Sequence, residues 1–170
     1  MEVWTELKGK TKLGKYYVSN TGKVKKVYKS GKETILKNSV NTYGYLYFGH
    51  HVVGESKMKY VHRIVAELYV PNPDNKTQVD HIDKNKLNNH YTNLRWASNS
   101  ENSCHRKRNK VGKFSKLKGV SKNGKYPKFK ASICVKGKKI FLGYFDTDVE
   151  AHEAYCAKAK ELHGEFASFV

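Results

Sequence analysis

Short runs in which apolar and polar residues alternate dominate the first third of the chain. They are Tyr16-Tyr17-Val18, Lys23-Val24-Lys25-Lys26-Val27 and Tyr45-Leu46-Tyr47-Phe48, divided by the turn formers Asn20-Thr21-Gly22 and Ser30-Gly31. A period of two broken in this way predicts small antiparallel strands over residues 1–55. The spacing then changes. Val61, Ile64, Val65 and Leu68 recur at helical intervals, and Pro71 and Pro73 predict the end of that helix. Two brief apolar runs follow, Gln78-Val79-Asp80-His81-Ile82 and Leu94-Arg95-Trp96-Ala97, joined by an Asn-rich loop over 83–93. Ser98 with Glu101 three residues later has the capping-box form, so a helix is expected to start there. Near the C-terminus Phe129, Ala131, Ile133 and Val135 alternate, as do Ile140, Leu142 and Tyr144, with Val135-Lys136-Gly137-Lys138 as the hairpin turn. Asp148, Ala151, Tyr155, Ala159 and Leu162 then form a helical stripe that closes at Gly164. The expected class is α+β: a small N-terminal β region (1–55), a hairpin-and-helix core (56–105), a linker (106–117), and a three-stranded sheet with one helix (118–170).

Charge adds a partner to this picture. Lys and Arg number 33 against 15 Asp and Glu, a formal net charge of +18 over 170 residues. The excess is concentrated: residues 102–145 hold no acidic residue, while 146–170 are net acidic. Like charges packed that densely repel one another unless a polyanion screens them, which points to nucleic acid. On strand alternation, if Phe129, Ala131, Ile133 and Val135 face the helix, Lys128, Lys130 and Ser132 face outward. With Lys122, Lys138 and the linker residues Arg106, Lys107 and Arg108 they form the expected DNA-binding set. No apolar run is long enough to span a membrane, and no apolar leader opens the chain, so an intracellular protein is expected, in a bacterial or phage-infected host. Cys104, Cys134 and Cys156 are too scattered for a disulfide framework or a four-thiolate zinc site.

The chemistry is concentrated between Val79 and Asn102. Phosphodiester hydrolysis needs a group that removes a proton from water near neutral pH, which suits histidine. It also needs a cation, held by carboxylate and amide oxygens, to meet charge on the phosphate. Neighbours on a strand point to opposite faces, so Asp80 and His81 serve one site only if the strand ends or bends there, as the turn-rich loop allows. Asn102, in the second turn of the capped helix, supplies the remaining oxygen. On this reading Asp80 and Asn102 hold one divalent metal ion, Mg²⁺ or Mn²⁺, and His81 activates water. His62, His90 and His105 read as surface residues or phosphate contacts.

The run His62-Arg63-Ile64-Val65-Ala66, Asp80-His81-Ile82-Asp83, Asn88-Asn89, Asn93-Leu94-Arg95-Trp96 and Glu101-Asn102 resembles the HNH endonucleases of phages and mobile introns. The resemblance implies a ββα-metal nuclease core with His81 as general base and Asp80 and Asn102 as metal ligands. It also implies that Asn93 is the middle asparagine, bracing the loop that fixes the histidine. Lys84 stands where the family usually has glycine, which implies a strained turn. Trp4, Leu7, Gly9, Tyr17-Val18-Ser19-Asn20, Gly22 and Val24 resemble the NUMOD-type motif found before HNH domains in homing endonucleases. Residues 115–170, through Lys118-Gly119-Val120, Phe129-Lys130-Ala131, Phe141-Leu142-Gly143-Tyr144-Phe145-Asp146 and Ala154-Tyr155, resemble the Apetala/ethylene-response-factor DNA-binding domain. That likeness implies a sheet that enters the major groove. Ser121, Lys122, Ser132 and Cys134 replace the Arg or Glu common at its base-reading positions, so no sequence preference is inherited.

The expectation is therefore a metal-dependent homing-type DNA endonuclease acting on double-stranded DNA, as a monomer or as a dimer formed transiently on DNA. A catalytically silent DNA-binding regulator is the alternative. An RNA-binding protein would explain the charge but not the spacing from Asp80 to Asn102.

Overall fold

A computed structural model describes residues 1–8, 14–52, 55–106, 115–122 and 128–169. The chain forms two compact units, Met1–Ala97 and Ser98–Val170. In the first, strands β1 (Trp4–Glu6), β2 (Gly14–Ser19), β3 (Val24–Tyr28) and β4 (Glu33–Ile35) form an antiparallel meander in chain order. A second sheet joins β5 (Ser39–Val40), β6 (Leu46–Val52) and β7 (Glu55–Tyr60). Helix α1 (Val61–Tyr69) follows, then the hairpin of β8 (Gln78–His81) and β9 (Leu94–Ala97).

One hydrophobic core joins β2, β3, β6, α1, β8 and β9. Tyr16, Val18 and Val24 from the first sheet, Phe48 from the second, Val61, Ile64, Val65 and Ala66 from α1, and Val79 and Leu94 from the hairpin are all buried together. The core therefore extends across the boundary expected at residue 55. Neither the small meander nor the short hairpin can bury enough apolar surface alone, and sharing α1 solves this for both. Polar ties reinforce it: the Tyr69 hydroxyl donates to the Val18 carbonyl at 2.7 Å, and the Trp96 indole N–H donates to the Val70 carbonyl at 3.0 Å.

The second unit opens with α2 (Asn99–His105), capped by the box read from the sequence. Glu101 N–H donates to Ser98 Oγ at 3.2 Å, and Ser98 N–H donates to the Glu101 carboxylate at 2.6 Å. Strands β10 (Val120–Lys122), β11 (Phe129–Val135) and β12 (Lys138–Phe145) form an antiparallel sheet backed by α3 (Asp148–His163). The inner face is the expected one, with Ala131 against Ala151 and Ile133 against Tyr155 and Ala159. The β11–β12 turn places Lys136 and Gly137 at φ 47° and 79°, the left-handed pair that matches strand twist in a two-residue hairpin.

Simple alternation fails on β12. Ala131 pairs with Gly143 but Ser132 pairs with Phe141, so Leu142 is an extra residue in a bulge. Leu142 packs into the core, while Tyr144 is 50% exposed and Ile140 is 38% exposed. Ile140, Leu142 and Tyr144, which alternate in the sequence, therefore do not lie on one face of the strand. Gly143, at φ 140°, was the available signal, since glycine within a strand often marks a bulge.

Candidate nuclease site and nucleic-acid interface

Strand β8 ends at His81, with Asp80 just before it. Asp80 and His81 are both buried, at 7% and 4% exposure. Asp80 lies opposite Arg95 on β9, and its Oδ2 accepts from Arg95 Nε at 2.9 Å, with Arg95 Nη2 also at 2.9 Å. The carboxylate is thus held by a buried guanidinium, a partner that cross-strand register supplies.

The loop after β8 is closed by asparagine side chains. Asn93 Nδ2 donates to Asp83 Oδ1 at 2.9 Å and to the Asn88 carbonyl at 2.8 Å, while its Oδ1 accepts from Asp83 N–H at 3.0 Å. Main-chain bonds from Ile82 N–H to Asn93 O and from Lys84 N–H to His81 O, both 2.9 Å, complete the staple. Burial works against the Asp83 charge, but bonds from Asn88, Asn85 and Asn93 outweigh it and hold the carboxyl below its usual range. Lys84 adopts φ 63°, a left-handed conformation that a side chain adopts at an energetic penalty.

His81 Nε2 lies 3.0 Å from Asn89 Oδ1. Asn89 is buried and its Nδ2 donates to the Leu87 carbonyl at 3.3 Å, which turns the amide oxygen toward the imidazole. A carbonyl oxygen only accepts, so Nε2 carries the proton and Nδ1 is the unprotonated nitrogen of the neutral ring. Burial lowers the His81 pKa below its ordinary 6.5, against the opposing pull of Asn89, Asp80 and Asp83. The imidazole therefore stands neutral at pH 7, ready to accept a proton.

The rings of His62 and Tyr45 pack against it at centroid distances of 5.3 and 6.1 Å. His62 is buried, as is His105, so the surface assignment of these two is corrected; His90 is half-buried, with Nδ1 2.7 Å from Thr92 Oγ1. His62 directly follows Val61 at the start of α1, off the stripe of Val61, Ile64, Val65 and Leu68. Its pKa is pushed down to about 3, by burial first and then by the nearby His81 and Arg63 charges. Its Nδ1 is buried with no hydrogen-bond partner among the described residues. In the unfolded chain the same ring takes up a proton near 6.5. As pH falls through the window from 6.5 to about 3, the unfolded state binds the extra proton and stability declines. For His62 alone the expected loss is about 2 kcal/mol between about pH 7 and about pH 4.5. His62→Phe should remove that share of the acid sensitivity in urea unfolding at the two pH values. Equal losses in both proteins would contradict it.

Asn102 stands on α2 in the second compact unit, half-buried, with its N–H donating to the Ser98 carbonyl at 3.0 Å. No group of three or more His, Cys, Asp or Glu with metal-holding geometry occurs among the described residues. The donors offered by Asp80 and Asn102 are oxygens, which suit a hard divalent ion such as Mg²⁺.

Of the expected DNA-binding residues, Arg106, Lys122, Lys128 and Lys138 are exposed, and Lys130 and Ser132 are half-buried. Lys107 and Arg108 lie outside the described residues, as does Gly9 of the N-terminal motif. Lys128 Nζ pairs with Asp146 at 3.2 Å, an exposed contact that a phosphate can displace. The β12 bulge adds two residues that alternation hides. Phe141 and Tyr144 are both exposed, 4.9 Å apart, opposite Ser132 and Lys130, and Lys130 Nζ lies 5.2 Å from the Phe141 ring centre.

Residues 59–104 match the HNH endonuclease family and residues 2–49 match the NUMOD4 motif, so the chain carries an HNH endonuclease domain preceded by a NUMOD4 motif. It is homologous to the DNA endonuclease I-HmuI of Bacillus phage SP01, with 41% identity over 99 residues, covering 58% of this chain and 54% of that protein. The solved structure of the HNH homing endonuclease I-HmuI, which concerns DNA binding and cleavage by that enzyme, superposes with a TM-score of 0.51 and 40% identity. The match covers 59% of this chain and 55% of that one, and the mixed α/β fold is similar. The uncharacterized HNH endonuclease L245 of Acanthamoeba polyphaga mimivirus is 37% identical over 90 residues, 53% of this chain and 26% of that protein. The chain thus spans about half or less of the length of these relatives. Among the described residues, no helix is long and apolar enough to cross a membrane.

Proposed function

We propose that this protein is a metal-dependent DNA endonuclease of the homing type, acting on double-stranded DNA inside a bacterial or phage-infected cell. The observation that carries this reading is His81: a buried, neutral imidazole with one nitrogen engaged by Asn89 and the other left to accept a proton. His81 Nδ1 takes the proton of an attacking water, and Asn93 keeps the loop closed so that the ring does not turn away. Asp80 and Asn102 would hold one divalent ion, Mg²⁺ or Mn²⁺, which would supply stabilisation of charge on the scissile phosphate and leaving oxygen. Arg95 keeps the Asp80 carboxylate oriented. The functional division is an N-terminal β region (1–55), a ββα-metal nuclease core (56–105), a basic linker (106–117) and an Apetala-like binding module (118–170).

The test is nicking of supercoiled plasmid with Mg²⁺, Mn²⁺ or EDTA. Nicks that require the metal support the reading, and binding without cleavage on any substrate overturns it in favour of a silent regulator.

The C-terminal sheet engages the duplex through phosphate contacts from Lys122, Lys128, Lys130 and Lys138, with Ser132 beside them and Arg106, Lys107 and Arg108 extending the basic surface. Replacing the four lysines with alanine should reduce the slope of log affinity against log salt by about 3 to 4. An unaltered slope, measured by titration at several ionic strengths, would move the binding surface elsewhere.

A further inference from the structure

The N-terminal sheet meets the nuclease loop at the turn between β2 and β3. That turn contains Asn20, Thr21 and Gly22, closed by Gly22 N–H donating to the Ser19 carbonyl at 3.0 Å. Gly22 sits at φ 88°, and a Cβ placed there would lie 2.7 Å from Asn89 Cβ and 3.2 Å from the Asn89 carbonyl oxygen. The obstacle is the root of a buried side chain and its main chain, neither of which gives way easily. Beside it, the Asn20 carbonyl accepts from Tyr91 N–H at 2.9 Å. The Asn20 side chain is itself tied to the chain start, its Oδ1 accepting from Val3 N–H at 3.0 Å and its Nδ2 donating to the Met1 carbonyl at 3.2 Å. Both Asn20 and Asn89 are buried.

We propose that the Ser19–Gly22 turn is a positioning element of the nuclease reaction: the bare backbone of Gly22 seats Asn89, and Asn89 in turn fixes the tautomer and orientation of His81. The N-terminal motif then does more than accompany the nuclease core, because it forms the back wall of the loop that aims the histidine. The proposal rests on His81 acting as the base. Its mechanism is the usual sensitivity of proton transfer to sub-ångström displacement of the acceptor.

Gly31 provides an internal control. It also lies in a left-handed turn, at φ 84°, but nothing is within 4 Å of the position its Cβ would take. Gly31→Ala therefore carries a similar backbone penalty without the contact, and Gly22→Ala carries both.

Two readouts are needed on the full chain. In single-turnover nicking, Gly22→Ala is expected to lower the cleavage rate roughly 10-fold and Asn89→Ala roughly 100-fold, with DNA affinity unchanged. Gly31→Ala should cleave as the wild type does. In the second readout, the imidazole ¹⁵N shifts of histidine-labelled protein are expected to show His81 protonated at Nε2 in the wild type. They should move toward a mixture of tautomers in Asn89→Ala and shift measurably in Gly22→Ala. Asn89→Asp, which keeps an acceptor oxygen, should retain the wild-type tautomer and recover much of the rate.

His81 protonated at Nδ1 in the wild type overturns the proposal. So do His81 shifts that do not move in either Gly22→Ala or Asn89→Ala, or a Gly31→Ala variant as impaired as Gly22→Ala. If Gly22→Ala is unstable at the assay temperature, it is read at reduced temperature, and the Asn89 variants still decide whether His81 is fixed in this way. A His81→Ala protein that nicks at the wild-type rate overturns the base reading and its catalytic consequence together. That failure is distinguishable, because the nitrogen shifts still report the coupling.

Discussion

Replacing His81 with alanine should lower the rate of DNA cleavage by roughly 10²–10⁴-fold, the range lost when a positioned general base is removed. DNA affinity should stay within a factor of about 2, because the ring is buried and the role proposed for it is proton transfer. The effect belongs in the rate constant of the bound complex and is read by single-turnover nicking at saturating protein. The pH dependence has a definite sign. Burial keeps the His81 pKa below 6.5, so the base is neutral at pH 7 and the wild-type rate should hold as pH is lowered toward 6.5 and decline only further down. A rate that rises as pH falls, or a His81→Ala protein of wild-type activity, would remove histidine from the chemistry.

The second large effect concerns Asp80 and Asn102. Asn102→Ala should reduce cleavage at a fixed low metal concentration by roughly 100-fold, since a site with few protein ligands loses much of its hold when one is removed. Part of that loss should be recovered by raising the Mg²⁺ concentration. Asp80 needs a more careful substitution. Its carboxylate faces the Arg95 guanidinium in a setting where both side chains are nearly inaccessible, at 9% and 12% exposure. Asp80→Ala would remove the carboxylate from this nearly inaccessible ion pair, at a stability loss of about 3–5 kcal/mol, so lost activity could reflect unfolding. Asp80→Asn keeps an oxygen toward Arg95 and removes only the charge, and should lose cleavage with the fold retained. Unfolding midpoints measured alongside separate the two outcomes. An unchanged metal requirement in both Asp80→Asn and Asn102→Ala would dismiss these residues as the metal's holders.

Much of the architecture was legible because it depends on local rules. The period of two over residues 16–18 and 129–135, the helical spacing from Val61 to Leu68, and the Ser98–Glu101 box each set an element from neighbouring residues alone. The family resemblance implied a bracing role for Asn93, whose side chain bonds to Asp83 and to the Asn88 carbonyl. The outer placement of Lys128 and Lys130 followed from alternation, since the bulge lies beyond them on the partner strand.

Other features depended on contacts between distant segments. Arg95 was visible only as part of a motif, and cross-strand register made it the partner of Asp80. His62 read as a surface residue because a lone histidine on a short helix gives no sign of which face it occupies; the neighbouring Tyr45 and His81 bury it. Phe141 and Tyr144, three apart, belong on opposite faces of a regular strand, and a single extra residue brought them together.

The sequence by itself determined the main strands and helices, the concentration of positive charge and the candidates for the chemistry, because each follows from composition or from spacing within one segment. Tertiary structure decided which nitrogen of His81 meets Asn89, which group faces Asp80, and how closely Gly22 approaches Asn89. Those are relations between residues 8 to 67 positions apart in the chain, and only packing that excludes water fixes them.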